Sequence, residues 1–243
     1  MVTGPGYSFN STMKIHAITF DAGGTLIEPW PSVGHVYAEV AEQYGVRVEA
    51  EELNRRFVAA WHVEREFDYS RDAWAGLVDE VFSGLSSELP SRTFFDELYG
   101  RFAEADTWRV FDDVRTVLEE LKGSGMRLAV LSNWDDRLRL LLKRLKLSGL
   151  FEEIFISAEM GWTKPDGRIF QAASERMGLA AGEILHVGDS RREDVDGALA
   201  AGWRACHLER ENCSGGPRTP NGAQRVPLQG HSVTSLSEIM EIL

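Results

Sequence analysis

After residue 108 the chain alternates between short β-favouring runs and amphipathic helical stripes, and this alternation constrains the fold more than any other feature. Residues 127–132, 153–157, 183–188 and 204–208 read as buried strands. Between them, Val114, Val117, Leu118 and Leu121 line one helix, and residues 138–147, 166–177 and 195–201 supply three more. Neighbouring parallel strands need a crossover, usually a helix, so the pattern predicts a parallel α/β sheet covered on both faces, a Rossmann-like core. A further strand over 14–20 stops at the Gly-rich turn Asp21-Ala22-Gly23-Gly24-Thr25.

Residues 31–106 break the rhythm. Val36, Val40 and Tyr44 share one face at helical spacing. So do Leu53, Phe57 and Trp61, then Trp74, Leu77, Val78, Val81 and Phe82, then Phe94, Leu98 and Phe102. The expected organisation is an α/β core from 13–30 and 107–243, interrupted by a four-helix cap over 31–106. The Gly/Ser-rich residues 1–12 read as a flexible leader outside the fold, 209–229 as a surface loop, and 235–243 as a closing helix.

Composition narrows the partners. Lys and Arg total 26 against 38 Asp and Glu, a formal charge of −12. That balance speaks against nucleic acid, whose phosphates are met by Lys/Arg patches, and against an anionic membrane surface. No run approaches the roughly 18 apolar residues of a spanning helix. Two cysteines, Cys206 and Cys213, are no disulfide framework, so a reducing cytoplasm is the expected location. The six histidines show no metal-ligand spacing that would suggest zinc. Neither nucleic acid nor a membrane is expected as a partner, and the chain is expected to act as a monomer or homodimer.

In a parallel sheet the ligand crevice lies beyond the carboxyl ends of the strands. Asp21 follows the first strand, Ser132 and Asn133 the second, and Asp189 the fourth, while Lys164 lies between the third strand and its helix. Carboxylates, a hydroxyl and one ammonium at crevice positions suit a Mg²⁺ site that handles phosphate, because Mg²⁺ takes oxygen ligands and few protein carboxylates.

The segments Asp21 to Leu26 (DAGGTL), Leu131-Ser132-Asn133, Gly161 to Asp166 (GWTKPD) and His186 to Ser190 (HVGDS), the last followed by Asp194, resemble the four motifs of the haloacid dehalogenase superfamily in order and spacing. The resemblance implies an α/β core with a helical cap inserted after the first motif, and a Mg²⁺-dependent hydrolase of a small phosphorylated molecule. It implies Asp21 as nucleophile, forming an aspartyl-phosphate. Ser132, Asn133 and the backbone at Ala22 and Gly23 would hold phosphoryl oxygens, with Lys164 neutralising charge there. Asp21, the Gly23 carbonyl, Asp189 and Asp194 would hold Mg²⁺, Asp194 either as ligand or as an orienting neighbour.

One position departs from the pattern. Phosphatases of the superfamily carry a second Asp two residues after the nucleophile, as acid and then base; here Gly23 stands there. General acid–base catalysis contributes roughly 10²–10⁴-fold, so alkyl esters are expected to react poorly and acyl, aryl and anhydride phosphates better. Restoring Asp at position 23 is then expected to raise turnover on alkyl esters. Glu28, His35 or a residue of the helical insert could replace the missing acid. Two alternatives follow from the same departure. Dehalogenases also lack that Asp, and Arg55, Arg56, Arg65, Arg71, Arg92 and Arg101 could cradle a halide; a non-catalytic Mg²⁺/phosphate sensor would need no acid at all. The phosphonate-cleaving branch uses a cap lysine, and 31–106 contains none.

Overall fold

A computed structural model describes residues 14–63, 67–210 and 231–243, with the side chains of 62, 63 and 231 left aside. The leader, nearly all of the 209–229 loop, Arg65 and Cys213 therefore lie outside the described residues.

The chain opens with β1 (Ala17–Phe20) and, after the turn carrying Asp21, a three-residue strand β2 (Ile27–Pro29). Four helices follow: α1 (Val33–Gln43), α2 (Ala50–Val63), α3 (Arg71–Val81) and α4 (Phe95–Arg101). Strand β3 (Trp108–Val110) returns antiparallel to β2, pairing Glu28 with Arg109 and Pro29 with Trp108. Then come α5 (Val114–Gly123), β4 (Arg127–Ser132), α6 (Arg137–Arg144), β5 (Glu153–Ile156) and the short α7 (Ser157–Met160). The remainder is α8 (Gly167–Met177), β6 (Ile184–Gly188), a π-helical turn at Arg191–Asp196 running into α9 (Gly197–Ala200), β7 (Arg204–Leu208), β8 (His231–Val233) and α10 (Ile239–Ile242).

Six strands form one parallel sheet in the order β5-β4-β1-β6-β7-β8. Because side chains alternate along a strand, Ile18 and Phe20 of β1, with Leu128 and Val130 of β4, join the core under α5 and α6. Ala17, Ala129 and Leu131 point the other way, toward α8 and Trp203. The sheet is thus buried on both faces, as the alternating pattern predicts. Central β1 lies between β4 and β6, so the carboxyl ends of these three strands open into one crevice.

Residues 33–102 pack around a core of their own, with Tyr37 stacked on Phe82 at 5.9 Å and meeting Phe57 edge-on at 6.0 Å. Helices α1 and α2 come so close at Gly34 that a Cβ there would lie 2.1 Å from the Ala50 carbonyl oxygen. Three expectations need correction. The short ribbon β2–β3 and edge strand β8 were not expected, and the single helix over 195–201 is a π turn followed by α9. The end of the chain is likewise a 3₁₀ turn (Leu236–Glu238) leading into α10 rather than one helix from 235.

Candidate active site

The turn after β1 is built by backbone bonds. The Asp21 N–H donates to Val187 O at 2.9 Å, tying it to β6. Ala22 O accepts from both Leu26 N (2.8 Å) and Ile27 N (3.0 Å), folding the chain back on itself. Gly24 adopts φ 75°, and a Cβ there would lie 2.5 Å from Asp189 Oδ2. Glycine serves twice here, for the left-handed backbone and for the approach of that carboxylate.

Lys164 sits at the centre. Its Nζ donates to Asp21 Oδ1 (2.7 Å), Asp194 Oδ1 (2.5 Å) and Leu131 O (2.9 Å), which occupies all three ammonium protons. The side chain is 1% exposed. Ser132 Oγ donates to the same Asp21 oxygen at 2.9 Å. Asp21 Oδ2 carries no hydrogen bond among the described residues. The Lys164–Pro165 peptide is cis.

Two expected site residues turn toward Lys164, and for Asp194 this agrees with the orienting one of its two expected roles. Asn133, anticipated as a phosphate ligand, has its amide paired with the Lys164 backbone: Lys164 N donates to Oδ1 (2.7 Å), and Nδ2 donates to Lys164 O (2.9 Å) and Glu193 Oε2 (3.1 Å). It aims the lysine. Asp194 accepts from Lys164 and His186 Nε2 (3.0 Å) on one oxygen, and from Ser190 N (2.8 Å) on the other. With both oxygens so engaged, Asp194 fits holding Lys164 and the loop after β6 better than giving an oxygen to an ion. Asp189 is less encumbered: Thr25 Oγ1 approaches Oδ1 at 3.4 Å, and His207 Nε2 donates to its carbonyl at 3.0 Å.

Electrostatics follow from this packing. Burial alone would lower the Lys164 pKa, yet Asp194 and Asp21 more than offset it and hold the lysine above its ordinary value. For Asp194 burial pushes upward, but Lys164 and the His186 hydrogen bond win, and its pKa lies well below the ordinary carboxylate. Burial raises Asp21 despite Lys164. Loss of solvent around its carboxyl, then the charges of Asp21 and Asp194, raise Asp189 well above its ordinary value, although the residue as a whole is exposed. Glu193 is pushed up to about 7, by burial and then by Asp194.

Asp21, Asp189 and Asp194 bring carboxylate oxygens within 4.8 Å of one another, and one ammonium cannot neutralise three acids. An all-oxygen set with surplus negative charge fits Mg²⁺.

Three contributors escaped the sequence reading. His186, fully buried in β6, bridges Thr19 Oγ1 (Nδ1, 2.8 Å) to Asp194 and is kept neutral by burial. A carboxylate only accepts, so Nε2 carries the proton. Its signal was available: a polar residue in an otherwise apolar strand. Glu193 and Tyr69 gave none. Tyr69, from the segment between α2 and α3, is buried with φ 61° and packs on Phe67 at 5.1 Å. Burial, then the charges of Glu193 and Asp21, hold its hydroxyl well above the ordinary tyrosine value, which puts Tyr69 beside the site.

Neither named replacement acid stands ready. Glu28 is ion-paired with Arg109 across the β2–β3 ribbon, and His35 Nδ1 lies 2.7 Å from Ser32 Oγ. The halide cradle is also weakened, since Arg55 and Arg56 hold Glu52, Arg71 holds Asp96, and Arg101 holds Asp106 and Glu39. Arg92 is exposed.

A parallel sheet whose strand ends gather a buried carboxylate, a hydroxyl, a buried lysine and further acids is an arrangement suited to hydrolysis, and comparison with known proteins identifies the class. Residues 15–202 match the family model described as haloacid dehalogenase-like hydrolase, and the chain belongs to that family. The relative called haloacid dehalogenase-like hydrolase domain-containing protein 3 from Homo sapiens is 32% identical, over 79% of this chain and 81% of that protein. Among solved structures, a HAD phosphatase from Thermococcus onnurineus is 25% identical with TM-score 0.66, covering 94% of this chain and 97% of that one. A dehalogenase with an intermediate complex is also 25% identical, with TM-score 0.69, covering 95% and 97%.

Proposed function

We propose that this hydrolase is a Mg²⁺-dependent phosphohydrolase that transfers phosphoryl from a small phosphorylated molecule to Asp21 and then to water. The observation that supports it most is the buried contact of Lys164 with Asp21 and Asp194, with Ser132 on the same Asp21 oxygen. That arrangement fixes one carboxylate oxygen and leaves the other to attack. It also places a permanent positive charge where phosphoryl oxygens gather, as transition-state stabilisation requires. Asp21 and Asp189 would hold the ion, with the Gly23 carbonyl beside them and Asp194 orienting Lys164. When bound, Mg²⁺ supplies charge neutralisation for the phosphoryl group and the acids around it. Having no acid at position 23, the site handles alkyl esters poorly, so compounds with weakly basic leaving groups are its substrates. With most candidate arginines paired to carboxylates, a halide cradle has less support than a phosphate site.

The test is Mg²⁺-dependent phosphate release from acetyl phosphate and p-nitrophenyl phosphate, with Asp21→Asn as control and mass spectrometry for a phosphorylated Asp21. Activity abolished by Asp21→Asn supports the reading. Chloride release from 2-chloropropionate without phosphate release would replace it with dehalogenation, and phosphate binding without turnover with a sensor.

A further inference from the structure

The space above Gly23 is not empty. A Cβ on Gly23 would lie 3.1 Å from Cζ3 of Trp134 and 3.8 Å from its Cη2, so the edge of that indole occupies the place a side chain would enter. The backbone of Trp134 is held firmly. Its N–H donates to Ser157 Oγ at 3.0 Å, and its carbonyl accepts from Ser157 Oγ and from Ala158 N, both at 3.1 Å. Behind the ring stands Trp108 at 5.2 Å, itself backed by Phe102 at 6.0 Å. The indole stays partly exposed, two residues beyond Ser132. The other side of Asp21 is sealed by Ser132 and Lys164, both nearly fully buried. The partly exposed ring of Trp134 beside the Gly23 turn thus borders a course along which a substrate with phosphorus at Asp21 could extend its remaining group.

We propose that Trp134 determines specificity: it bars a proton donor from position 23, offers an aromatic surface to the leaving group, and so selects flat, unsaturated, weakly basic leaving groups, those of aryl and enol phosphates. This rests on the phosphohydrolase reading above. In the first step the Asp21 carboxylate forms a bond to phosphorus as the bond to the leaving oxygen breaks. The leaving group departs as an aryloxide or enolate, with no proton required. In the second, water adds to phosphorus, the aspartyl oxygen–phosphorus bond breaks, and phosphate leaves carrying both hydrogens of the water. An alkoxide, far more basic, finds no donor at position 23.

The Gly23–Trp134 approach also changes what a single substitution can achieve. Asp at position 23 would press on a ring whose backbone is pinned, so Gly23→Asp alone is not expected to raise alkyl-ester turnover, whereas Gly23→Asp with Trp134→Ala is.

The experiment titrates non-hydrolysable phenylphosphonate and methylphosphonate into the Mg²⁺-loaded protein by calorimetry, beside wild-type turnover of acetyl phosphate. Stacking on an indole predicts a several-fold to about tenfold preference for the phenyl compound. Trp134→Ala should bind both equally, Trp134→Phe should keep most of the preference, and thermal midpoints report folding of each variant. Turnover of p-nitrophenyl phosphate and glycerol 1-phosphate by Gly23→Asp and the double variant completes the set. Equal binding of the two phosphonates by wild type, or a preference that survives Trp134→Ala, overturns the role of Trp134 while active wild type leaves the phosphohydrolase reading standing. If neither phosphonate binds and acetyl phosphate is inert, both fall together.

Discussion

Replacing Lys164 with Met keeps the length of the side chain and removes its charge from a buried cluster. At an effective dielectric of about 20, a contact of 2.7 Å such as Lys164–Asp21 carries about 6 kcal/mol of attraction before desolvation. The contact to Asp194 is of similar size, and desolvation of the ammonium and both carboxylates cancels much of the sum. Removing one partner of a buried pair typically costs about 3–5 kcal/mol, because the other charge is left uncompensated. In a domain this size that lowers the melting midpoint by about 6–20 °C at pH 7. The pH dependence makes the test specific. In wild type the depressed Asp194 stabilises the fold above the ordinary carboxylate range, and that contribution is lost as pH falls through its folded value. In Lys164→Met, Asp21 and Asp194 lose their counter-charge and their pKa values move up. The native state then binds more protons than the unfolded one, and stability rises as pH falls from 7 toward 5. Circular dichroism melts of both proteins from pH 5 to 8 in chelator, repeated with Mg²⁺, read this out. The penalty should shrink at low pH and shrink again with Mg²⁺. A midpoint within 2 °C of wild type at pH 7, or a penalty constant from pH 5 to 8, would refute the assignment of Lys164 as counter-ion to two buried acids.

Gly34→Ala forces a methyl against the Ala50 carbonyl at the α1–α2 contact, and overpacking of this kind costs about 1–3 kcal/mol or more; chemical denaturation with an unchanged midpoint would contradict it. Tyr69→Phe removes a buried hydroxyl beside Glu193 and Asp21, and a polar interaction worth about 0.5–1.5 kcal/mol there predicts a roughly 2- to 10-fold fall in kcat/KM on p-nitrophenyl phosphate. Unaltered kinetics would place Tyr69 outside the working site. Cys206 is fully buried, with its thiol pushed up to about 12 by burial, so in a Cys213→Ser background native protein should resist a thiol reagent at pH 8 and react once denatured.

What the sequence made legible follows from how locally each feature is specified. Strands β4 to β7 are mostly apolar runs, so their type follows from their own residues, and the parallel sheet follows from the helices between them. The β2–β3 ribbon is three residues a side, with Pro29 in one strand and charged Arg109 in the other; its pairing depends on Glu28 meeting Arg109 across 81 positions. No local pattern carries that. Asp21, Ser132, Lys164 and Asp189 could be located because strand ends are readable and the crevice sits there. Which carboxylate oxygen faces a lysine and which remains open is decided by side-chain packing, which is why the sequence left Asp194 open between ligand and orienting neighbour and carried no sign that the Asn133 amide pairs with the Lys164 backbone. Gly23 was read as a missing group; that Trp134 fills the vacated volume is a fact about space, which a one-dimensional pattern does not record.

The β2–β3 ribbon has a topological consequence. Trp30 N donates to Thr107 O at 2.8 Å, so the chain leaves for the helical insert and returns from it at points one hydrogen bond apart. The sheet therefore sees residues 31–106 as a closed loop on a single stalk. The entropy of closing such a loop grows only with the logarithm of its length, about 0.6 kcal/mol per doubling, and the stalk absorbs it locally. A two-residue turn joining the ribbon could replace the whole insert without altering a strand of the sheet. The stalk is a socket: Asp21, Ser132, Lys164 and Asp189 stay with the sheet, and a change in the length of the insert is absorbed at the ribbon and at the few contacts that α6 makes with residues 99–104.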